Sequence, residues 1–355
     1  MFVAGHEKPV SREKGGIESM KKLIALILAI LMCLTASFAM ADAWKSGDTV
    51  YFHVNAKAGG ATDLYTRYLT QALTEVCPGV NFVVQNYETA EVALATVQGQ
   101  KPDGLNLGTL HSGAFIQWFT GASNISVKDD LKVVGVMNFG GPQAIIAGPN
   151  APYKNLAELA DWIKANPGKL MVGCSLGGTS QMIFINIMKG LVGDSDLVTY
   201  VQCASEADKL TMTASNSIDL ANCSIPNAVD YEADGKLTIL GTFAATGVTL
   251  DDIKELTGKD LSDNYKTGPD QGYESATWNG NHYVYVPKDT PDEICEAINE
   301  ALCKANDVPS YIEGNKAMAS FIGAVNYAEA TAAFESEWAT MEELVTELGL
   351  KMEGR

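Results

Sequence analysis

Residues 49–69 read TVYFHVNAKAGGATDLYTRYL. The first six are β-branched, aromatic and apolar, the composition of a strand, and from Ala61 onward the apolar positions recur at helical spacing. Between the two stand Gly59 and Gly60, followed by Thr62 and Asp63. Glycine permits backbone conformations and close approaches that a Cβ forbids. The first N–H groups of a helix have no partner within it. A strand that turns on two glycines into a helix therefore predicts a seat for an anion.

The same alternation extends outward from this junction. Strands are predicted over 49–54, 81–86, 105–110 and 131–139, with helices over 61–76, 89–100 and 112–119. A second series follows. Its strands are expected within 143–149, 169–175, 198–205, 218–224 and 236–243, and its helices over 155–168, 179–193, 206–217 and 226–235. Residues 247–275 are polar and read as loop-rich; one more strand is expected within 277–291, a helix over 291–306 and a helical tail over 308–350. Alternating strands and helices predict an open-sheet α/β architecture with parallel sheets covered by helices. In such sheets ligands bind where strands end and loops enter helices. Three of these ends are crowded with glycine and small hydroxyl residues: Ala58 to Asp63, Thr109 to Gly113 with His111 and Ser112, and Ser175 to Ser180 with Gly177, Gly178 and Thr179.

Composition narrows the partners. Residues 20–41, MKKLIALILAILMCLTASFAMA, have the layout of a secretory signal peptide cleaved after Ala41, and residues 1–19 read as a mis-called start. An exported, periplasmic protein that does not span the membrane is expected. Without residues 1–41 the chain keeps 20 of its 25 basic and 40 of its 43 acidic residues, so the net charge moves from −18 to −20. That excess argues against nucleic acid and anionic lipid as partners. Only two arginines remain, Arg67 and Arg355, so an anion site has to rely on something other than guanidinium forks. Six cysteines remain: Cys77, Cys174, Cys203, Cys223, Cys295 and Cys303. An exported location permits disulfides as well as free buried thiols, but Cys295 and Cys303, two turns apart on one helix or roughly 12 Å, cannot bridge each other. No CxxC or His-Cys cluster suggests a metal, and no cofactor is expected.

Several stretches together resemble the solute receptors of tripartite tricarboxylate transporters, also called Bug receptors. They are AGGATD at 58–63, PYKNLAELADWIKANPGKL at 152–170, SIPNAVDYEADGKLTILGTF at 224–243 and TWNGNHYVYVPKDTPDEICEAINEAL at 277–302. The resemblance implies a type II periplasmic binding protein: two open-sheet α/β lobes joined by two crossing strands, residues 42–140 with 278–355 in one and 141–277 in the other. It implies a small carboxylate (a di- or tricarboxylate, an acidic amino acid or an aromatic acid), held by backbone N–H groups and small side chains, and membrane permease subunits as partners of a monomeric receptor. Carried over by position, the ligand-binding residues would be Ala58, Gly59, Gly60, Thr62 and Asp63; Thr109, His111 and Ser112; Ser175, Gly177, Gly178, Thr179 and Ser180; and, beside Cys203, Ala204 and Ser205. The chain departs from the family pattern in having Ala56-Lys57-Ala58 before the first glycine pair and Gln181-Met182 after the second loop.

The residues also carry plainer readings. Asp63 and Arg67 are spaced i, i+4, as in a surface helix pair; each glycine pair can be a tight turn; His111 can be a hydrogen-bonded strand end; Trp278 can pack where the lobes cross. An enzyme is disfavoured, because no Gly-x-Ser-x-Gly elbow, phosphate-binding lysine loop or zinc helix occurs. A sensor-associated or orphan receptor on the same fold stays open.

Overall fold

The computed structural model describes residues 43–203, 205–274, 276–323 and 325–355, so the readings of residues 1–41 and of Ala204 lie outside the described residues. In chain order the elements are β1 (Thr49–Val54), α1 (Ala61–Val76), β2 (Asn81–Asn86), α2 (Ala90–Gln98), β3 (Asn106–His111), α3 (Gly113–Phe119), α4 (Val127–Asp130) and β4 (Leu131–Phe139). There follow β5 (Gln143–Ala147), α5 (Leu156–Ala165), β6 (Leu170–Cys174), α6 (Thr179–Val192), β7 (Val198–Gln202), α7 (Glu206–Ala214), β8 (Leu220–Ser224), α8 (Ile225–Ala233), β9 (Thr238–Phe243) and α9 (Leu250–Thr257). The chain closes with β10 (His282–Pro287), α10 (Asp292–Ala305), α11 (Pro309–Ala317), β11 (Phe321–Ile322) and α12 (Tyr327–Glu347).

The strands form two sheets, ordered β11-β4-β10-β3-β1-β2 and β7-β6-β8-β5-β9. Neither is purely parallel, which corrects the expectation. β10 runs antiparallel to β3 and β4, and β5 antiparallel to β8 and β9. The reason is the path of the chain. β5 follows β4 from the first sheet and β10 follows β9 from the second, so each enters its sheet from the other one and not by the strand-helix-strand return within a sheet that makes neighbours parallel. Where the two connections pass, their backbones touch, and a Cβ on Gly140 would lie 2.6 Å from the carbonyl oxygen of Gly280.

Three elements differ from the sequence reading, the first being the short helix α4, which precedes β4 where none was expected. The stretch expected to be loop-rich contains α9, opened by a capping box in which Thr249 and Asp252 each accept the other's N–H, and closed at Gly258 with φ +63°. The tail expected to be helical is interrupted by β11, which pairs with Phe139 and Asn138 at the sheet edge.

One apolar core runs continuously from the first sheet to the second, through Phe115, Tyr283, Ile183 and Trp278, with Phe334 and Trp338 of α12 packed on it. A second cluster lies under α1 and α10, and a third under α7 and α8. Cys174, Cys203, Cys223, Cys295 and Cys303 carry free thiols, with Cys295 and Cys303 both on α10. His53 is buried among its partners, with Nδ1 at 2.9 Å from Tyr87 Oη and Nε2 at 3.1 Å from Asn106 Oδ1. No helix of the described residues is long and apolar enough to cross a membrane.

Gly108 shows how tightly the first sheet is packed. It pairs with Tyr285, and a Cβ at Gly108 would stand 2.0 Å from that buried ring. Gly108→Ala should therefore destabilise the protein by about 1–3 kcal/mol, read as a lower urea midpoint at constant m; an unchanged midpoint would show that the ring moves without cost.

Candidate functional site

The two glycine turns are built alike. β1 leads through Gly59 (φ +81°) to Gly60, the N-cap of α1, and β6 leads through Gly177 (φ +70°) to Gly178, the N-cap of α6. The positive φ angles explain a glycine at the first position of each pair. In each turn the second glycine donates to the carbonyl three residues back: Gly60 N to Lys57 O at 3.0 Å, and Gly178 N to Ser175 O at 3.0 Å. In each, the first glycine donates to a side chain four residues ahead: Gly59 N to Asp63 Oδ2 at 2.8 Å, and Gly177 N to Gln181 Oε1 at 2.7 Å. The loop following β6 is tied further, with Ser175 N bonded to Ser180 Oγ and Leu176 N to Gln202 Oε1.

The glycine amides are thus spent inside the turns. The donors that find no partner among the described residues are the first-turn amides of the two helices, Ala61, Thr62 and Asp63 on α1 and Thr179 and Ser180 on α6. All of these but Asp63 line one cavity of about 340 Å³, with Ala61, Thr62 and Tyr65 on one side and Thr179, Ser180 and Ile183 on the other. The first turns of the two helices therefore face each other across a crevice. A neighbouring cleft of about 670 Å³ shares Thr62, His111 and Thr179 with the cavity and continues past Glu88, Gly177 and Gly178. The helices bring the positive ends of their dipoles to the same space, which favours an anion there.

Two histidines line the cavity. His111 and His282 are opposed residues on β3 and β10, with ring centroids 5.0 Å apart, and Tyr65 lies 4.9 Å from the His282 ring. His111 Nδ1 accepts the Gly113 N–H at 3.0 Å, which places its own proton on Nε2. Burial pushes His111 down to about 4, and burial followed by the His111 charge pushes His282 well below the usual histidine range. Both rings are neutral near pH 7, so they offer hydrogen bonds instead of charge. Nδ1 of His282 is buried with no partner among the described residues.

The description "Tripartite tricarboxylate transporter family receptor" belongs to the family whose sequence pattern matches residues 67–350. The chain belongs to this receptor family. The match begins at Arg67, after the first glycine turn. A UPF0065 protein of Bordetella pertussis is 27% identical over 295 residues, 82% of this chain and 86% of its own length. One of Agrobacterium vitis is 26% identical over 294 residues, 81% and 80% of the two chains. A TctC solute binding protein from Polaromonas shares the fold with a TM-score of 0.70 at 19% identity, covering 85% of this chain and 99% of its own. MatC from Rhodopseudomonas palustris with bound malate has a TM-score of 0.63 at 19% identity, covering 84% and 99%. An R. palustris protein with adipate has a TM-score of 0.64 at 20% identity, covering 85% and 98%. The fold is the two-sheet α/β arrangement of TctC and Bug periplasmic binding proteins.

The receptor gathers only part of the expected site residues at the cavity and the adjoining cleft: Thr62, His111, Gly177, Gly178, Thr179 and Ser180. Ala58, Gly59 and Gly60 shape the first turn without lining the cavity. Asp63 is buried, and its carboxylate takes Gly59 N, Asn86 Nδ2 at 2.9 Å and Arg67 Nε at 3.0 Å, so it pins the turn and has little left for a ligand. Burial alone would raise the Asp63 pKa, but the bonds from Arg67, Gly59 and Asn86 and the Arg67 charge outweigh it and hold the group below its ordinary value. Thr109 is fully buried against Thr66 Oγ1 at 2.8 Å, and Ser112 lies beneath the site against Glu337. Ser205 caps α7 through the Asp208 N–H, and Cys203 is buried against Met212. The cavity residues not expected from the sequence are Tyr65, Gly140, Gly141, Gln143, Ile183, Glu206, Lys209, Asn222, Phe243, Gly280 and His282, joined by Trp278, which both lines the cavity and packs in the continuous core. Gly280 and His282 lie within a stretch already matched to the family pattern, whereas nothing in the spacing of α7 marked Lys209.

Proposed function

We propose that this receptor captures a small carboxylate between its two sheets and presents it to the membrane permease subunits of a tripartite transporter. One lobe would comprise residues 42–140 with 278–355 and the other 141–277. The observation that carries the reading is that four residues with unpaired first-turn amides, Ala61 and Thr62 of α1 and Thr179 and Ser180 of α6, line one cavity. Hydrogen bonds to a charged group contribute about 1.5–3 kcal/mol each, and a helix N-terminus adds about 0.3–1 kcal/mol. Four or five such bonds leave roughly the 8 kcal/mol of a micromolar complex after association costs. The malate and adipate of two fold relatives are ligands of this chemical kind. Differential affinity for the closed arrangement would drive the lobes together, and the closed form is what a permease would recognise. Export through residues 20–41 to the periplasm and a monomeric state complete the reading, and a receptor needs no catalytic residue.

Titration calorimetry with malate and adipate tests it, micromolar or tighter affinity for at least one being expected; no heat and no thermal shift with either acid would count against the reading. Ala61→Pro probes the amides directly. Proline suits the first helical position, and Gly60, at φ −73° and ψ 162°, already has the extended backbone that a following proline requires. The substitution deletes one N–H and leaves the helix, so affinity should fall about tenfold or more with the melting temperature unchanged.

A further inference from the structure

A lysine enters the same cavity from the second sheet. Lys209 of α7 is half-buried there, and its ammonium donates to Asn222 Oδ1 on β8 at 2.8 Å; Asn222 Nδ2 in turn donates to Gln143 Oε1 on β5. Among the described residues no carboxylate lies within 4.0 Å of it, whereas nine other lysine and arginine side chains do form ion pairs. Glu206, the acid on the same wall, is engaged elsewhere: its Oε1 accepts from Ser224 N, Ser224 Oγ and Asn227 Nδ2 at 3.1, 2.7 and 2.7 Å. Taking an ammonium out of water without a close counter-charge is unfavourable, and burial accordingly holds Lys209 below the usual lysine range, with Glu206 opposing. A side-chain relay from two strands nonetheless holds this cation at the wall of a cavity whose opposite requirement, an anion, is set by the helix termini.

We propose that Lys209 is the specificity-determining residue by which this receptor separates dianions from monoanions: it takes a second anionic group of the ligand while the first is held at the opening turns of α1 and α6. The assignment rests on the carboxylate reading above. The missing counter-charge of Lys209 is then supplied by the ligand, and a ligand whose far end is a methyl group leaves the ammonium as poorly compensated as before. Asn222 and Gln143 act as positioning residues, since they touch the ligand only through the lysine they aim.

Calorimetry on the receptor with matched pairs, adipate against hexanoate and malate against 2-hydroxybutyrate, tests the assignment. Wild type should prefer at least one dianion over its monoanion partner by tenfold or more. Lys209→Met should lower that dianion to the monoanion's affinity and leave the monoanion unchanged, Lys209→Gln should do the same, and Lys209→Arg should restore part of the preference. Removing an uncompensated charge should leave the unliganded melting temperature of Lys209→Met at or above that of wild type. Equal affinities within both pairs for wild type, or an equal loss for both members in Lys209→Met, would overturn the role of Lys209 and leave the carboxylate reading standing. Absence of binding for all four acids would overturn both.

Discussion

Asp63→Ala should cost the receptor about 3 kcal/mol of stability and reduce carboxylate affinity at least a hundredfold. Asp63 is 1% exposed and its two oxygens hold the Gly59 amide, the Asn86 side chain and Arg67. Breaking a buried ion pair from one side costs about 3–5 kcal/mol, and the lower end applies because Arg67 is half exposed and can turn to water. Asn86 retains its bond to Ala56 O, so the loss falls on the Gly59 amide and on the path of the turn. Once Gly59 is released, the first-turn amides of α1 no longer have a fixed direction, and binding that depends on several aligned donors suffers more than stability does. Urea unfolding and calorimetry with malate or adipate measure the two effects separately. Asp63→Asn, which keeps an acceptor for Gly59, should fall between wild type and alanine; normal affinity in Asp63→Ala would show that the turn needs no pin. Because Asp63 titrates below its ordinary range, its contribution is present above that range and is lost as pH falls through the folded value.

The device that Asp63 serves also shows what was legible in the sequence. The break from β1 to α1 could be placed to the residue because Gly59-Gly60 separates a β-branched run from a helical period, and the i, i+4 pairing of Asp63 with Arg67 follows from spacing alone. That the carboxylate also reaches back to Gly59 and across to Asn86 depends on β2 lying beside β1, which no local pattern records. The bare amides expected at the glycines belong instead to the residues after them, since a tight turn consumes its own N–H groups. Strand direction was equally hidden. Hydrophobic period distinguishes strand from helix but carries no sign, so β5 and β10 could be located but not oriented. α9 was missed although Thr249 and Asp252 spell its capping box, because its eight residues are surrounded by polar sequence. Lys209 was hidden for a further reason: on an amphipathic helix a lysine reads as solvated, and only the packing of α7 beside β8 turns this one toward a cavity.

Glu337 should make the receptor less stable as pH rises, the opposite sense to the acid limb of Asp63. It projects from α12 into the junction of the two sheets, where Tyr283 Oη of β10 donates to it at 2.6 Å and Asn281 and Ser112 lie against it. It is 3% exposed and among the described residues forms no ion pair with lysine, arginine or histidine. Burial, only partly offset by the bonds from Tyr283 and Asn281, pushes its carboxyl up to about 8 from the ordinary 4.5. The folded state therefore keeps a proton that the unfolded chain has already released. Stability is greatest below the unfolded value, declines as pH rises through the interval, and levels off above about 8. At about 1.4 kcal/mol per pH unit the full decline is on the order of 3–5 kcal/mol. Glu337→Gln carries no charge to bury and keeps an acceptor for Tyr283, so its melting temperature should exceed that of wild type by several degrees at pH 9 and approach it at pH 5. Scanning calorimetry of both proteins from pH 5 to 9 isolates the residue, because every other titrating group is common to the two. Parallel profiles would mean that Glu337 keeps its charge in the fold and that the hydrogen bonds of the junction are strong enough to hold it ionised.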